Sequence, residues 1–116
     1  MKKLLLVFLF VFTLNCVPQK ADAGSSYNSD FGWLSNTWLA PYDLCGYSPS
    51  QLRIFRNAIY AKYGYKFKSD DLRYYFNGFS WYYGKIKSES AVAKKMTKTE
   101  KHNIEVIRKV EKYGCY

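Results

Sequence analysis

The chain has 116 residues, a formal net charge of +9 and 20% aromatic residues. That length allows one small core and excludes a second domain of comparable size. His102 is the one histidine and the cysteines include no C-x-x-C pair, so the ligand spacing of a zinc site is missing.

Lys2 and Lys3 precede an apolar run from Leu4 to Leu14, and Ala21-Asp22-Ala23 supplies an A-x-A cleavage sequence. Together these are the parts of a secretory signal peptide over residues 1–23. The run is about eleven residues long, short of the roughly twenty that a membrane-spanning helix needs. A second reading takes Cys16, at the end of the run, as the lipid-bearing cysteine of a bacterial lipoprotein. Against it, Thr13 stands where an apolar residue is usual and Asn15 where a small one is. Both readings carry the domain out of the cytoplasm, to the periplasm, the medium or the cell surface, and lipid at Cys16 is the one membrane attachment expected. Both also leave Cys45 and Cys115 in the folded part, where two thiols outside the cytoplasm pair as a disulfide. Cleavage removes three lysines and one aspartate, so the domain stays basic.

Residues 24–30 read as a polar, flexible lead. Phe31, Trp33, Leu34, Trp38, Leu39, Tyr42 and Leu44 follow without a clean period and are broken by Pro41, which predicts an irregular aromatic arm packed onto the domain. Ser48, Pro49 and Gln51 form a capping box that opens the first helix, and Gly64 closes it. Leu52, Phe55, Ile59 and Tyr63 recur at helical spacing and face the core. Arg56 lies at the edge of that stripe. Arg53, Asn57 and Tyr60 share a neighbouring flank, open either to a ligand or to loop carbonyls. A second helix is predicted from Asp70 to Phe76, capped by Ser69, with Asp70 and Asp71 on its positive end and Asn77-Gly78 as its stop. Tyr65-Lys66-Phe67 is its extended lead-in. Residues 81–97 read as a loop with one weak helical turn near Ala91–Lys95. The third helix starts at Thr97, with Glu100 completing a capping box, and runs to Tyr113 before Gly114. Its apolar face is Val106, Ile107, Val110 and Tyr113. Asn103 falls within that face and needs partners such as Asn57 or Arg56, whereas His102 reads as a solvated surface residue. The predicted fold is therefore mainly α: a small compact domain of about three helices with an irregular aromatic N-terminal arm and one disulfide. Residues 1–23 are the signal peptide, 24–46 the linker and arm, and 47–116 the domain.

No serine, cysteine or carboxylate pair stands in a nucleophile or glycosidase arrangement, so the chain reads as a non-enzyme without cofactor or metal. Trp81-Tyr82-Tyr83, followed by Lys85 and Lys87, forms a candidate platform: aromatic faces stack on sugar rings and ammonium groups meet anions. The competing role for Trp81 and Tyr82 is closure of the small core. Arg53, Arg56, Lys62, Lys66, Lys68 and Arg73 would suit a nucleic acid or another anionic polymer, and export argues against the nucleic acid.

The stretch SPSQLRIFRNAIYAKYGYKFKSDDLRYYFNGFSWYY, followed by MTKTEKHNIEVIRKVEKY, resembles the YARHG domain family from about Tyr47 to Tyr113. The resemblance rests on Leu52, Arg56-Asn57, Ile59-Tyr60-Ala61, Gly64-Tyr65, Phe67, Leu72, Tyr75-Phe76, Trp81-Tyr82, Thr99-Glu100 and Asn103-Ile104, in that order. It implies a small bacterial domain of extracellular type with no assigned activity. An envelope glycan or an envelope protein is the expected partner, the second casting the chain as a structural accessory. Where the family's motif reads arginine then histidine, this chain has Lys62 and Tyr63. Any imidazole chemistry in relatives would not carry over, because tyrosine titrates near pH 10, and Tyr63 reads as a packing residue.

Overall fold

Four helices of this protein begin where a short hydroxyl side chain can accept an otherwise unpaired amide. In the computed structural model, which describes residues 25–115, Ser26 opens α1 (Tyr27–Phe31), Ser48 opens α3 (Pro49–Lys62), Ser88 opens α5 (Glu89–Ala93) and Thr97 opens α6 (Lys98–Tyr113). Each accepts the N–H of the residue three positions on, which removes one of the free donors of a first turn. Between them lie α2 (Trp33–Asn36), a 3₁₀ turn (Pro41–Leu44) and α4 (Asp70–Asn77). The signal peptide and Cys16 lie outside the described residues.

The domain is mainly helical, and its centre is α3 packed along α6. Leu52, Ala58, Ile59 and Ala61 of α3 meet Ile104, Ile107 and Val110 of α6, all buried. Phe67, Phe76, Tyr82, Val92 and Met96 extend this core under the loops. The α6 face differs from expectation at its end, for Tyr113 is 68% exposed.

Residues 27–44 depart most from the sequence reading. Where a flexible lead and an irregular arm are expected, the chain makes two short helices and a 3₁₀ turn. The cause is tertiary: Tyr27 and Phe31 stand one helical turn apart and are both buried, so packing imposes a helix on a segment too short to hold one alone. Asn103 fixes the rest of the arm. It is fully buried, its Oδ1 accepts the Leu39 amide at 3.0 Å, and its Nδ2 donates to the carbonyls of Leu34 at 2.8 Å and Thr37 at 2.7 Å. The pairing expected with Asn57 or Arg56 does not occur. Asn57 donates to the Arg53 carbonyl one turn back in α3, and Arg56 forks onto Glu111 at 2.7 and 3.0 Å. His102 is likewise not simply solvated: its ring stacks on Trp38 at 3.7 Å and its Nε2–H donates to Leu39 O at 2.8 Å. Beyond the arm, Cys45 and Cys115 stand at bonding distance, Cα to Cα 5.3 Å, and would tie its end to the end of α6.

Glu100 is fully buried although it belongs to the capping box of α6. Its Oε1 accepts the Thr97 N–H at 2.9 Å and the Tyr63 hydroxyl at 2.7 Å; its Oε2 accepts the Ser35 hydroxyl at 2.7 Å and Lys62 Nζ at 2.6 Å. Since the Ser35 proton goes to Glu100, Tyr27 donates its own to Ser35 across 2.8 Å. Burial alone would raise the Glu100 pKa, but these donors outweigh it and hold the carboxyl at about 2.

Glu100→Gln should cost about 3 kcal/mol, since it strips the charge that pairs with Lys62, or roughly 15 °C in Tm for a domain of this size. A folded-state pKa below the unfolded value contributes stability that is complete above about pH 4.5 and is lost as the pH falls through 2, so melts recorded from pH 7 to pH 2 should show acid destabilisation that the variant largely lacks. Asn103→Ala orphans one amide and two carbonyls and should lower stability by about 3 kcal/mol, with hydrogen exchange accelerating at the Leu39 amide. Mass spectrometry without reductant should show the Cys45–Cys115 bond, whose reduction should cost about 4 kcal/mol for a loop of this length.

Candidate functional site

At the C-terminal end of α3 the backbone must turn sharply, and Gly64 does so at φ +82°, a conformation costly for any residue with a Cβ. A side chain there would also press on the Tyr83 carbonyl, 3.1 Å from the position its Cβ would take. The turn frees the Gly64 carbonyl to accept the amides of both Lys85 and Ile86 at 2.9 Å. A loop over residues 79–86 is thereby fastened to the end of α3, and a cleft of about 270 Å³ opens between them.

Lys62, Tyr63 and Gly64 form one wall of the cleft, and Trp81, Tyr83 and Lys85 form the other. Trp81 is held from behind: its ring stands edge-on to Tyr27 at 5.5 Å, stacks on Phe79 at 5.2 Å, and its Nε1–H donates to Asp30 Oδ2 at 2.9 Å. Tyr83 has no such backing and is 68% exposed. Lys62 lies over the Tyr27 and Tyr63 rings at 5.3 and 5.0 Å while its ammonium pairs with Glu100. Burial first, and then the hydrogen bond to the Glu100 carboxylate, push the Tyr63 hydroxyl above its ordinary pKa, while burial pushes Tyr27 up to about 12. Both phenols therefore remain protonated donors at neutral pH.

Of the residues proposed from sequence, the fold brings Trp81, Tyr83 and Lys85 together with Ala61 and Gly64 of the motif. Tyr82 lies beneath them, buried, with its hydroxyl donating to Tyr65 O at 2.5 Å. Gly84 lets the loop pass over that hydroxyl, for a Cβ there would collide with it. Tyr60 is also buried, packed by Tyr65. Arg53 stands apart, bonded to Asp71 at 2.7 Å and to Ser69 at 3.2 Å. Ile59 and Phe67 are core residues, and Arg56 and Asn57 serve the α3–α6 contact and α3 itself. Tyr63 does more than pack, since it is bonded to Glu100 at the cleft wall. Glu100 escaped the sequence reading beyond its cap role, although a signal was present: Glu100, Asn103, Ile104 and Ile107 follow the helical i, i+3, i+4, i+7 pattern that marks a buried face. Among the described residues, no three of His, Cys, Asp and Glu gather closely enough to hold a metal ion.

No curated protein and no solved structure matches the chain. Among the described residues no helix is long and apolar enough to cross a membrane. The YARHG domain, a family of small extracellular-type domains of unknown function, matches residues 27–112. That span takes in both walls of the cleft and begins at Tyr27, the residue whose ring backs Trp81. The five letters of the family's name fall on Tyr60 to Gly64, which here read Tyr-Ala-Lys-Tyr-Gly and end α3 at the cleft. With most of its length matched and that motif built into the cleft wall, the chain belongs to the YARHG domain family.

Proposed function

We propose that the protein is a noncatalytic binding module of the cell envelope, exported by its leader or tethered through Cys16, whose cleft at the end of α3 holds a glycan. The observation that carries this reading is the convergence of the YAKYG turn and the Trp81–Lys85 loop on one cleft, with the Tyr83 ring free at its rim. An exposed aromatic ring beside a backed one offers a sugar its apolar face, and Lys85 adds a cation at the edge. Chemistry that needs a base finds little support here. Lys62 is committed to Glu100, and Tyr63 holds its proton.

Docking to another envelope protein is the second reading, and a separate hollow of about 350 Å³ beside Tyr74, Tyr75 and Gly78 favours it, with Tyr74 81% exposed. Nucleic-acid binding loses most of its basis. Four of the six cations that suggested it are engaged in ion pairs: Arg53 with Asp71, Arg56 with Glu111, Lys62 with Glu100 and Arg73 with Asp70.

Tyr83→Ala and Lys85→Ala test the glycan reading because neither side chain supports the core. Retention on purified cell-wall glycan should fall roughly tenfold for Tyr83→Ala with Tm unchanged. Unchanged retention in the double variant would exclude the cleft. Trp81→Ala is the weaker probe, since loss of its ring contacts and its bond to Asp30 should unfold part of the domain, at a cost of about 3 kcal/mol.

A further inference from the structure

Beyond the α3 turn, two extended segments run side by side. Tyr65 and Ile86 form a parallel bridge, with the Lys66 amide donating to Ile86 O at 2.8 Å. Side chains alternate along such segments. Phe67 is buried and Tyr65 and Ile86 half-buried on the inner side, whereas Lys66, Lys68, Lys85 and Lys87 are all exposed on the outer one. In this register Lys66 faces Lys87 across the bridge, with Lys68 two residues further along one segment and Lys85 two residues back along the other, at backbone spacings of roughly 6.6 Å along each segment and 4.8 Å between them. Lys66, Lys68 and Lys87, together with Arg73, line a second cleft of about 310 Å³ floored by Phe67. Among the described residues none of the four lysines has a carboxylate in ion-pair contact. Arg73 is occupied, bonded to Asp70 and to the Phe67 carbonyl at 3.1 Å, so it contributes fixed positive charge and no free fork.

We propose that this second cleft is a binding site for a linear phosphate-backbone polymer of the envelope, distinct from the glycan cleft and independent of it. Clustered, unpaired cations repel one another, and a polyanion relieves that repulsion while shedding its own counterions. The array is too wide for one phosphate and suits a ligand with charge on successive units. Lysine meets phosphate as a point charge, as a phosphate-binding lysine does elsewhere, and needs no bidentate fork to do so. A concave site does not fit a flat bilayer surface. A nucleic acid is disfavoured in turn because the one ring in the lining, Phe67, is 3% exposed and offers bases no stacking platform.

The test is titration of the purified protein with synthetic poly(glycerol phosphate) at several salt concentrations. The slope of log K against log salt should be about −2 for the three lysines of the cleft. Lys66→Glu/Lys87→Glu should weaken binding roughly 30-fold and flatten that slope to about −0.7, with Lys66→Gln/Lys87→Gln intermediate in affinity. Lys94→Glu/Lys95→Glu, the same charge change at two exposed α5-end lysines, should bind as the parent does. Equal losses in the two Glu pairs would overturn the proposal by showing general charge attraction. So would binding to polygalacturonate, to single-stranded DNA or to phosphatidylglycerol vesicles that matches or exceeds binding to the polymer. Tyr83→Ala should leave polymer binding unchanged, so failure of this site and failure of the glycan cleft are told apart.

Discussion

One carboxylate without contact to water joins three distant parts of this chain. Glu100 gathers Ser35 from the arm, Lys62 and Tyr63 from the end of α3, and the Thr97 amide from its own helix start. A buried charge is tolerated only when its lone pairs are filled, and here each oxygen accepts two hydrogen bonds. The arrangement is therefore directional as well as strong. Rotating the end of α3 or lifting the arm would leave an unfilled lone pair on a charge that water cannot reach. The cleft inherits its shape from this constraint, because the two residues that fill half of the carboxylate are also its wall.

The same carboxylate accounts for a departure in the family motif. Arginine and histidine are replaced by Lys62 and Tyr63, residues unlike them in shape and titration. What the two pairs share is a donor at each position. The Lys62 ammonium occupies one oxygen and the Tyr63 phenol the other, so the exchange preserves donors toward Glu100 while discarding the imidazole. A role that needs only donors survives this change, and one that needs a proton shuttle near neutral pH does not. In this chain Lys62 and Tyr63 close the end of α3 against α6 through Glu100, and their place in the cleft wall follows from where α3 ends.

Helix starts were legible because capping is local: Ser48, Thr97 and their partners three residues on carry the whole signal. The Gly64 turn was legible for the same reason. The arm was not. Tyr27 and Phe31 gain their helix from a core assembled out of residues far along the chain, and Asn103 captures Leu34, Thr37 and Leu39 from more than 60 positions away. Such pairings leave no local pattern. Part of the site could be read, since Trp81, Tyr83 and Lys85 stand close in sequence, but their convergence on Lys62 and Tyr63 depends on two amides reaching the Gly64 carbonyl. Arg53 and Tyr60 looked available because one face of α3 was assigned from spacing alone, without the neighbours that cover Tyr60 and pair with Arg53.

The loop from Tyr82 to Lys87 separates holding from presenting by residue parity. Tyr82 and Ile86 turn inward, one bonded to Tyr65 and the other bridged to it, and Gly84 clears the Tyr82 hydroxyl. Tyr83, Lys85 and Lys87 turn outward and supply the rim of one cleft, its charged edge and part of the next. Because extended backbone places adjacent side chains on opposite faces, outward positions can change without disturbing the inward ones. A shift of one residue would reverse both sets, so the bridge between Tyr65 and Ile86 fixes the surface as well as the fold. The surface can thus vary at three exposed positions while Glu100, Gly64 and the inward side chains hold the clefts in shape.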